Sequence, residues 1–129
     1  MYSKIKTGIL AIALVLFCGK AISHEMTPTY FEFEQSFVKD VLRTNILIFN
    51  KRADVEYYEI NIFDNEWNKI PFATNEKIVK IEYLKRKPIE IYIRESDRKR
   101  AIYICSLSKL KKENISSTSI SSRICSKAK

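Results

Sequence analysis

The groups in this chain that could do chemistry are few. There are three cysteines (Cys18, Cys105 and Cys125), one histidine (His24), and carboxylates scattered singly. A redox-active thiol pair calls for a Cys-x-x-Cys spacing or a lowered thiol pKa, and Cys105 and Cys125 lie far outside that spacing. A zinc site needs several Cys or His ligands, and one histidine cannot supply them. A Ser-His-Asp triad or a Cys-His dyad has almost no material to draw on. Glu32 and Glu34 share a face of strand-like sequence and are expected to be solvated rather than to form a glycosidase pair. No glycine-rich phosphate loop is present. The chain is therefore expected not to be an enzyme, and neither a cofactor nor a metal is expected.

The thiols instead report on the compartment. Lys4 and Lys6 precede an apolar run from Ile9 to Phe17, and Ala21 and Ser23 lie three places and one place before a cut ahead of His24. That is the pattern of a secretory signal peptide over residues 1–23. The run is too short to span a bilayer, which needs ~20 residues. A lipid anchor at Cys18 is disfavoured because Phe17 stands where a small residue belongs. Removing the leader takes away Cys18, Gly8, Gly19, Lys4, Lys6 and Lys20. This leaves an even cysteine pair, no glycine, and a formal charge that falls from +8 to 20 − 15 = +5. The remaining residues, 24–129, suffice for one domain with a modest core. An exported chain with paired cysteines is expected in an oxidising compartment, here the periplasm.

The elements that must position these residues are strands. Residues 24–129 are rich in Ile, Tyr and Phe, which favours strands, and short runs alternate with period two. Strands are expected over residues 30–34, 43–50, 55–63, 67–70, 77–83, 88–94, 101–108 and 118–127. Ile89, Ile91 and Ile93 alternate with Glu90, Tyr92 and Arg94 in the clearest of them. Seven or eight strands in such a length predict an all-β, immunoglobulin-like β-sandwich of about seven strands. With no glycine, left-handed turn positions are expected to fall to Asn50, Asp54, Asp64, Asn65 and Asn75.

If residues 101–108 and 118–127 form an antiparallel hairpin, cross-strand partners share a constant index sum. Cys105 and Cys125 sum to 230, which centres the connection on Ile115 in a polar stretch. The two sulfurs then stand opposite each other, and a non-hydrogen-bonded pair suits a disulfide. Closing that loop should stabilise the fold by roughly 3 kcal/mol.

Several stretches carry a family resemblance. They are Thr44-Asn45-Ile46-Leu47-Ile48-Phe49-Asn50, Tyr58-Glu59-Ile60-Asn61-Ile62-Phe63-Asp64, Lys87-Pro88-Ile89-Glu90-Ile91-Tyr92-Ile93-Arg94, residues 98–106, and Ser122-Arg123-Ile124-Cys125. In this order they resemble the N-terminal immunoglobulin-like domain of the PapD-like periplasmic chaperones, which assemble pili and fimbriae through an outer-membrane usher. One branch of that family joins its last two strands by a disulfide, as Cys105 and Cys125 would. The resemblance implies strand donation: the last strand, residues 118–127, would fill the groove of a pilus subunit that lacks its final strand. Ile120 and Ile124 would be the donated apolar side chains, with Ser122 between them. The family anchors the subunit's carboxylate with an Arg early in its first strand and a Lys in its last. Here residues 29–35 hold no basic residue and the lysine position is Cys125, so Arg123 and Lys127, on the same strand face, are the candidates for that role. The family's second domain would begin where this sequence stops.

The implied partner is a pilus or fimbrial subunit or another incomplete β-domain, with an usher as a second partner. Nucleic-acid binding and stable membrane insertion are not expected. Basic residues cluster at Lys85-Arg86-Lys87 and at Lys109, Lys111 and Lys112, turns expected at one end of the sandwich, and at Arg98-Lys99-Arg100 at the other. They are read first as solvated turns and second as attraction to an anionic envelope surface. Trp67, Tyr57, Tyr58, Tyr83, Tyr92 and Tyr103 are expected mainly in packing, and an exposed aromatic row would instead mark a binding surface. Two rival functions remain open: a secreted structural or adhesive module, including a pilus subunit, and an accessory envelope-binding protein. A subunit should carry an alternating apolar extension ahead of its fold, and residues 24–36 are short for one.

Overall fold

Period-two alternation sends one face of each strand inward, and the two sheets follow from it. The computed structural model describes residues 23–109 and 121–129. The expected leader, apart from Ser23, lies outside them, as do Ile115 and residues 118–120 of the expected last strand. The strands are β1 (Glu25–Thr27), β2 (Tyr30–Phe31), β3 (Glu34–Gln35), β4 (Val41–Phe49), β5 (Tyr57–Phe63), β6 (Lys69–Ile70), β7 (Ile78–Lys80), β8 (Arg86–Arg94), β9 (Tyr103–Lys109) and β10 (Arg123–Ala128). A short 3-10 turn, Glu95–Asp97, follows β8.

One sheet is built on β4, with β8 antiparallel along its whole length and β1 and β3 beside its two ends. The other runs β2-β10-β9-β5, with β6 and β7 sharing the far side of β5. All pairings are antiparallel except that of β2 with β10. The strand expected over residues 30–34 is thus two short pieces, β2 and the start of β3, and β1 ahead of it was not expected. β1 lies in one sheet, the chain crosses at the cis Thr27–Pro28 peptide, β2 joins the other sheet, and β3 returns to the first. The expected immunoglobulin-like β-sandwich therefore forms, with its strands in ten segments.

The core lies between the sheets. Leu42, Ile46 and Ile48 of β4, Tyr58, Ile60 and Ile62 of β5, Ile89, Ile91 and Ile93 of β8, and Ile104 of β9 are all buried in one cluster with Phe31 and Phe33. Burying each isoleucine side chain contributes about 2 kcal/mol or more. Leu47 and Phe49 are half-buried on the other face of β4, as a central strand with two apolar faces requires.

The left-handed positions differ from expectation. Positive φ occurs at Asp40 (62°), Trp67 (65°) and Leu84 (60°), and at none of the five Asn and Asp residues expected to carry it. Asn50 is instead a fully buried connector. Its Nδ2 donates to the carbonyls of Val55 (2.7 Å) and Ile81 (2.8 Å), and its Oδ1 accepts from the Arg52 N–H (2.9 Å) and the Tyr58 hydroxyl (2.5 Å). Asp64 serves the turn before Trp67 by accepting from the N–H groups of Glu66 and Asn68, both at 2.9 Å. The acidic side chain holds the turn together and the tryptophan takes the strained backbone. Trp67 then stacks on Tyr103, with centroids 4.7 Å apart and planes 5° apart.

Candidate functional site: the last strand and the polar cluster beneath it

β10 holds the second half of the strand expected over residues 118–127, and its surroundings are set by register. Cys125 stands opposite Cys105, and Ser126 opposite Ile104. Main-chain bonds from Ser108 N–H to Ser122 O (2.9 Å) and from Ala128 N–H to Ile102 O (2.8 Å) show that the even-numbered positions of this strand pair with β9. By the antiparallel alternation, Cys125 and Cys105 form a non-hydrogen-bonded pair. The disulfide is made there, with Cα atoms 4.1 Å apart. The index-sum expectation holds, although Ile115 at its centre lies outside the described residues.

The odd-numbered positions of β10 turn their main-chain groups away from β9. From Lys127 onward they are taken up: Lys127 N–H donates to Thr29 O (3.0 Å) and Lys129 N–H to Phe31 O (3.1 Å). β2 covers only Lys127 and Ala128. At Arg123 and Cys125 no strand lies opposite among the described residues.

The side chains divide by face. Ile124 is half-buried and packs against the core cluster. Ser122 and Ser126 also turn inward, and Ser126 Oγ donates to Pro28 O (2.6 Å), tying β10 to the crossing between β1 and β2. Arg123 and Lys127 are exposed on the outer face. Arg123 leans along the strand towards Lys127, bringing its guanidinium 5.4 Å from the Phe63 ring. Phe63 pairs with Tyr103, and Tyr103 with Lys127, so the guanidinium reaches the row in which Lys127 stands. Ile120, the other expected donor side chain, lies outside the described residues.

Beneath the leading end of β10 is a buried polar cluster that the sequence reading missed. His24 is only 1% exposed. One ring nitrogen, Nε2, contacts Ser106 Oγ at 2.7 Å and the other, Nδ1, contacts Ser122 Oγ at 3.2 Å. Its ring leans on Tyr58 at 4.5 Å. Ser108 Oγ accepts from the Ser122 N–H (2.9 Å) and from the Arg52 guanidinium (3.3 Å). Asp54 takes the other side of that guanidinium at 2.6 and 2.9 Å. Burial holds the His24 imidazole neutral and lowers its pKa to about 4, despite a hydrogen bond at Ser106 that favours the charged form; the Arg52 charge adds to the lowering. Burial raises the Tyr58 phenol to about 12. The hydrogen bond with Arg52 holds the Asp54 carboxyl below its usual range.

A serine hydroxyl 2.7 Å from an imidazole invites a catalytic reading. Here the hydroxyl is fully buried, and the group on the far ring nitrogen is Ser122, a hydroxyl rather than the carboxylate that orients a catalytic base. The arrangement fastens three segments of chain. The sequence did hold a signal for it. Ser106 and Ser108 occupy inward positions in phase with Ile104, and inward serines on a strand need a buried polar partner.

The basic residues fall into two groups. Lys109, expected in a turn, ends β9 with its side chain buried and its ammonium 2.7 Å from Glu59. Arg94 and Arg100 both grip the buried Asp97, at 3.0 and 3.2 Å. Lys85, Arg86 and Lys87 remain at the surface where β7 turns into β8. Glu32 and Glu34 pair separately, with Lys129 (3.5 Å) and Arg43 (3.1 Å). A scan of family models finds none that matches this chain, and a search of curated proteins finds no match either.

Proposed function

We propose that this chain is an exported, non-enzymatic binding protein that takes an incomplete β-domain partner by strand addition along β10, in the manner of the pilus-assembly chaperones its sequence resembles. The observation that carries this reading is the outer edge of β10. Its main-chain groups at Arg123 and Cys125 face outward with no strand opposite among the described residues. A β-domain lacking one strand offers the complementary edge and an apolar groove. Ile124, half-buried beside the open edge, supplies apolar surface, with Ile120 as its expected continuation. Arg123 and Lys127 stand on the outer face as candidates for the partner's carboxylate.

The N-terminal residues favour a capping role over a polymerising one. β1 and β3 pair with β4, and β2 pairs with β10, so residues 25–35 are spent within the fold. A pilus subunit would need such a segment free to leave. The periplasm, a pilus or fimbrial subunit as client, and an outer-membrane usher as second partner belong to the same reading.

The test is native mass spectrometry of the chain purified without reduction from the envelope of its own host. The expected result is a 1:1 complex with a small β-domain chain. That complex should disappear in the variant Ile120→Asp with Ile124→Asp, provided its circular dichroism shows a folded sandwich. A lone disulfide-bonded monomer, or a complex indifferent to the double substitution, would overturn the reading.

A further inference from the structure

Where β7 turns into β8, Tyr83 and Leu84 form the tip of a turn and are 50% and 55% exposed. Leu84 sits at φ 60°, a region in which its Cβ crowds the neighbouring carbonyl and which glycine or asparagine ordinarily fills. The main chain holds it there. Leu84 N–H donates to Asn50 O (2.8 Å), and Lys85 N–H donates to Glu82 O (3.1 Å). A turn shaped by stability alone would carry a small polar residue at this position. This one presents an aromatic and an aliphatic side chain to solvent.

Cations surround the tip. A shallow depression of about 360 Å³ beside it is lined by Lys80, Ile81, Glu82, Lys85, Arg86 and Lys87, a lining charge of 4 − 1 = +3. Lys80 and Lys87 approach Glu56 (3.6 Å) and Glu76 (3.7 Å) through half-exposed pairs, which water screens and which hold their lysines weakly. The Arg86 guanidinium lies 4.0 Å from the Phe49 ring, and the Lys51 ammonium lies 5.5 Å from the same ring. The opposite end of the sandwich also exposes apolar residues, with Phe37 at 96%. There Arg94 and Arg100 share the buried Asp97, Arg43 meets Glu34, Arg98 and Lys99 are exposed, and the turn that carries Phe37 holds Asp40, not an apolar residue, at positive φ.

We propose that the Tyr83–Leu84 tip and the four-cation depression beside it form a docking site for the surface of an anionic phospholipid bilayer. Tyr83 and Leu84 enter the boundary between headgroups and acyl chains, where an aromatic with a polar hydroxyl is well placed. Lys80, Lys85, Arg86 and Lys87 keep their ammonium and guanidinium groups among the phosphates while their stems lie along the apolar tip. The contact is peripheral. No helix among the described residues is long and apolar enough to cross a membrane. The site includes no residue of β10, so it stands apart from the strand-addition reading.

The test is flotation of the disulfide-bonded chain with two sets of vesicles, one of equimolar phosphatidylglycerol and phosphatidylcholine and one of phosphatidylcholine alone. Binding is expected to the anionic vesicles only and should weaken steeply as salt rises. Leu84→Asn is the decisive variant because asparagine suits the left-handed position. It should raise Tm while cutting the vesicle-bound fraction about tenfold. Lys85→Glu with Arg86→Glu should remove binding to anionic vesicles. The proposal is overturned if Leu84→Asn floats as the parent does, if both vesicle types bind equally, or if inorganic phosphate at matched ionic strength releases the protein. The last result would mark a small-anion pocket in place of a membrane surface.

Discussion

Along β8 the inward side chains are Ile89, Ile91 and Ile93, all buried in hydrocarbon. Along β10 and its leading residue the inward side chains are Ser122, Ile124, Ser126 and Ala128, set over the His24 cluster. The outer edges differ in the same sense. On β8, Tyr92 exchanges two main-chain bonds of 2.9 Å with Ala73, and Thr74 Oγ1 donates to Glu90 O (2.8 Å). Pro88 is in phase with Tyr92, so its missing N–H also faces outward and takes no bond from β4. On the outer edge of β10, pairing among the described residues begins at Lys127. An apolar strand whose outer edge is covered in part, by Ala73 and Thr74, gives stability. A polar strand with no strand opposite its outer edge at Arg123 and Cys125 among the described residues is held by specific hydrogen bonds and a disulfide.

This contrast should be measurable. The largest difference is expected from truncating one isoleucine on each strand. Ile91→Ala removes a fully buried side chain and should cost about 4 kcal/mol, whereas Ile124→Ala removes a half-buried one and should cost about 1–2 kcal/mol. Denaturant titration of the two variants reads the ratio directly, and equal losses would mean that β10 is as deeply committed to the core as β8. Next comes the disulfide. Replacing both Cys105 and Cys125 with serine opens a loop of sequence separation 20 and should lower stability by roughly 3 kcal/mol. Amide exchange should accelerate at residues 123–127 well before residues 86–94. Uniform acceleration across both strands would erase the contrast.

The third effect depends on pH. The His24 pKa is about 4 in the folded chain and 6.5 when unfolded, so between these values the unfolded state binds more protons. The contribution of neutral His24 is fully present above pH 6.5 and is lost as pH falls from 6.5 towards 4, by at most about 3 kcal/mol. Protonation would place a second cation near Arg52, whose charge Asp54 already balances, beside the hydroxyls of Ser106 and Ser122 and the ring of Tyr58. Urea denaturation at several pH values should show this slope in the parent and lose it in His24→Gln. A slope that survives in His24→Gln would assign the acid sensitivity to other groups.

The two edges also differ in how far the sequence reveals them. The alternation of Ile89, Ile91 and Ile93 is a local pattern, and it fixes both the strand and its inward face because successive side chains point to opposite sides. Hairpin arithmetic is nearly as local, and the opposition of Cys105 and Cys125 follows from counting residues. Ser106, Ser108 and Ser122 gave no such result. Their inward orientation makes sense only beside His24, which lies 82 residues from Ser106 and 98 from Ser122. The left-handed positions failed for a related reason. Turn propensity favours Asn and Asp, but the long-range bonds of Asn50 to Ile81 and Leu84 fix that asparagine in place and shift the strained backbone to the leucine.

What the sequence by itself determined is therefore the long strands β4, β5, β8 and β9 with their buried faces, the disulfide and the sandwich that pairs them. All of these follow from period-two burial and chain connectivity. Only the tertiary structure decided what lies opposite the outer edge of β10 among the described residues, where the histidine is buried, and which turn projects apolar side chains among cations. Those features depend on partners far apart along the chain, because a buried polar group or an unpaired edge is defined by what lies opposite it in space.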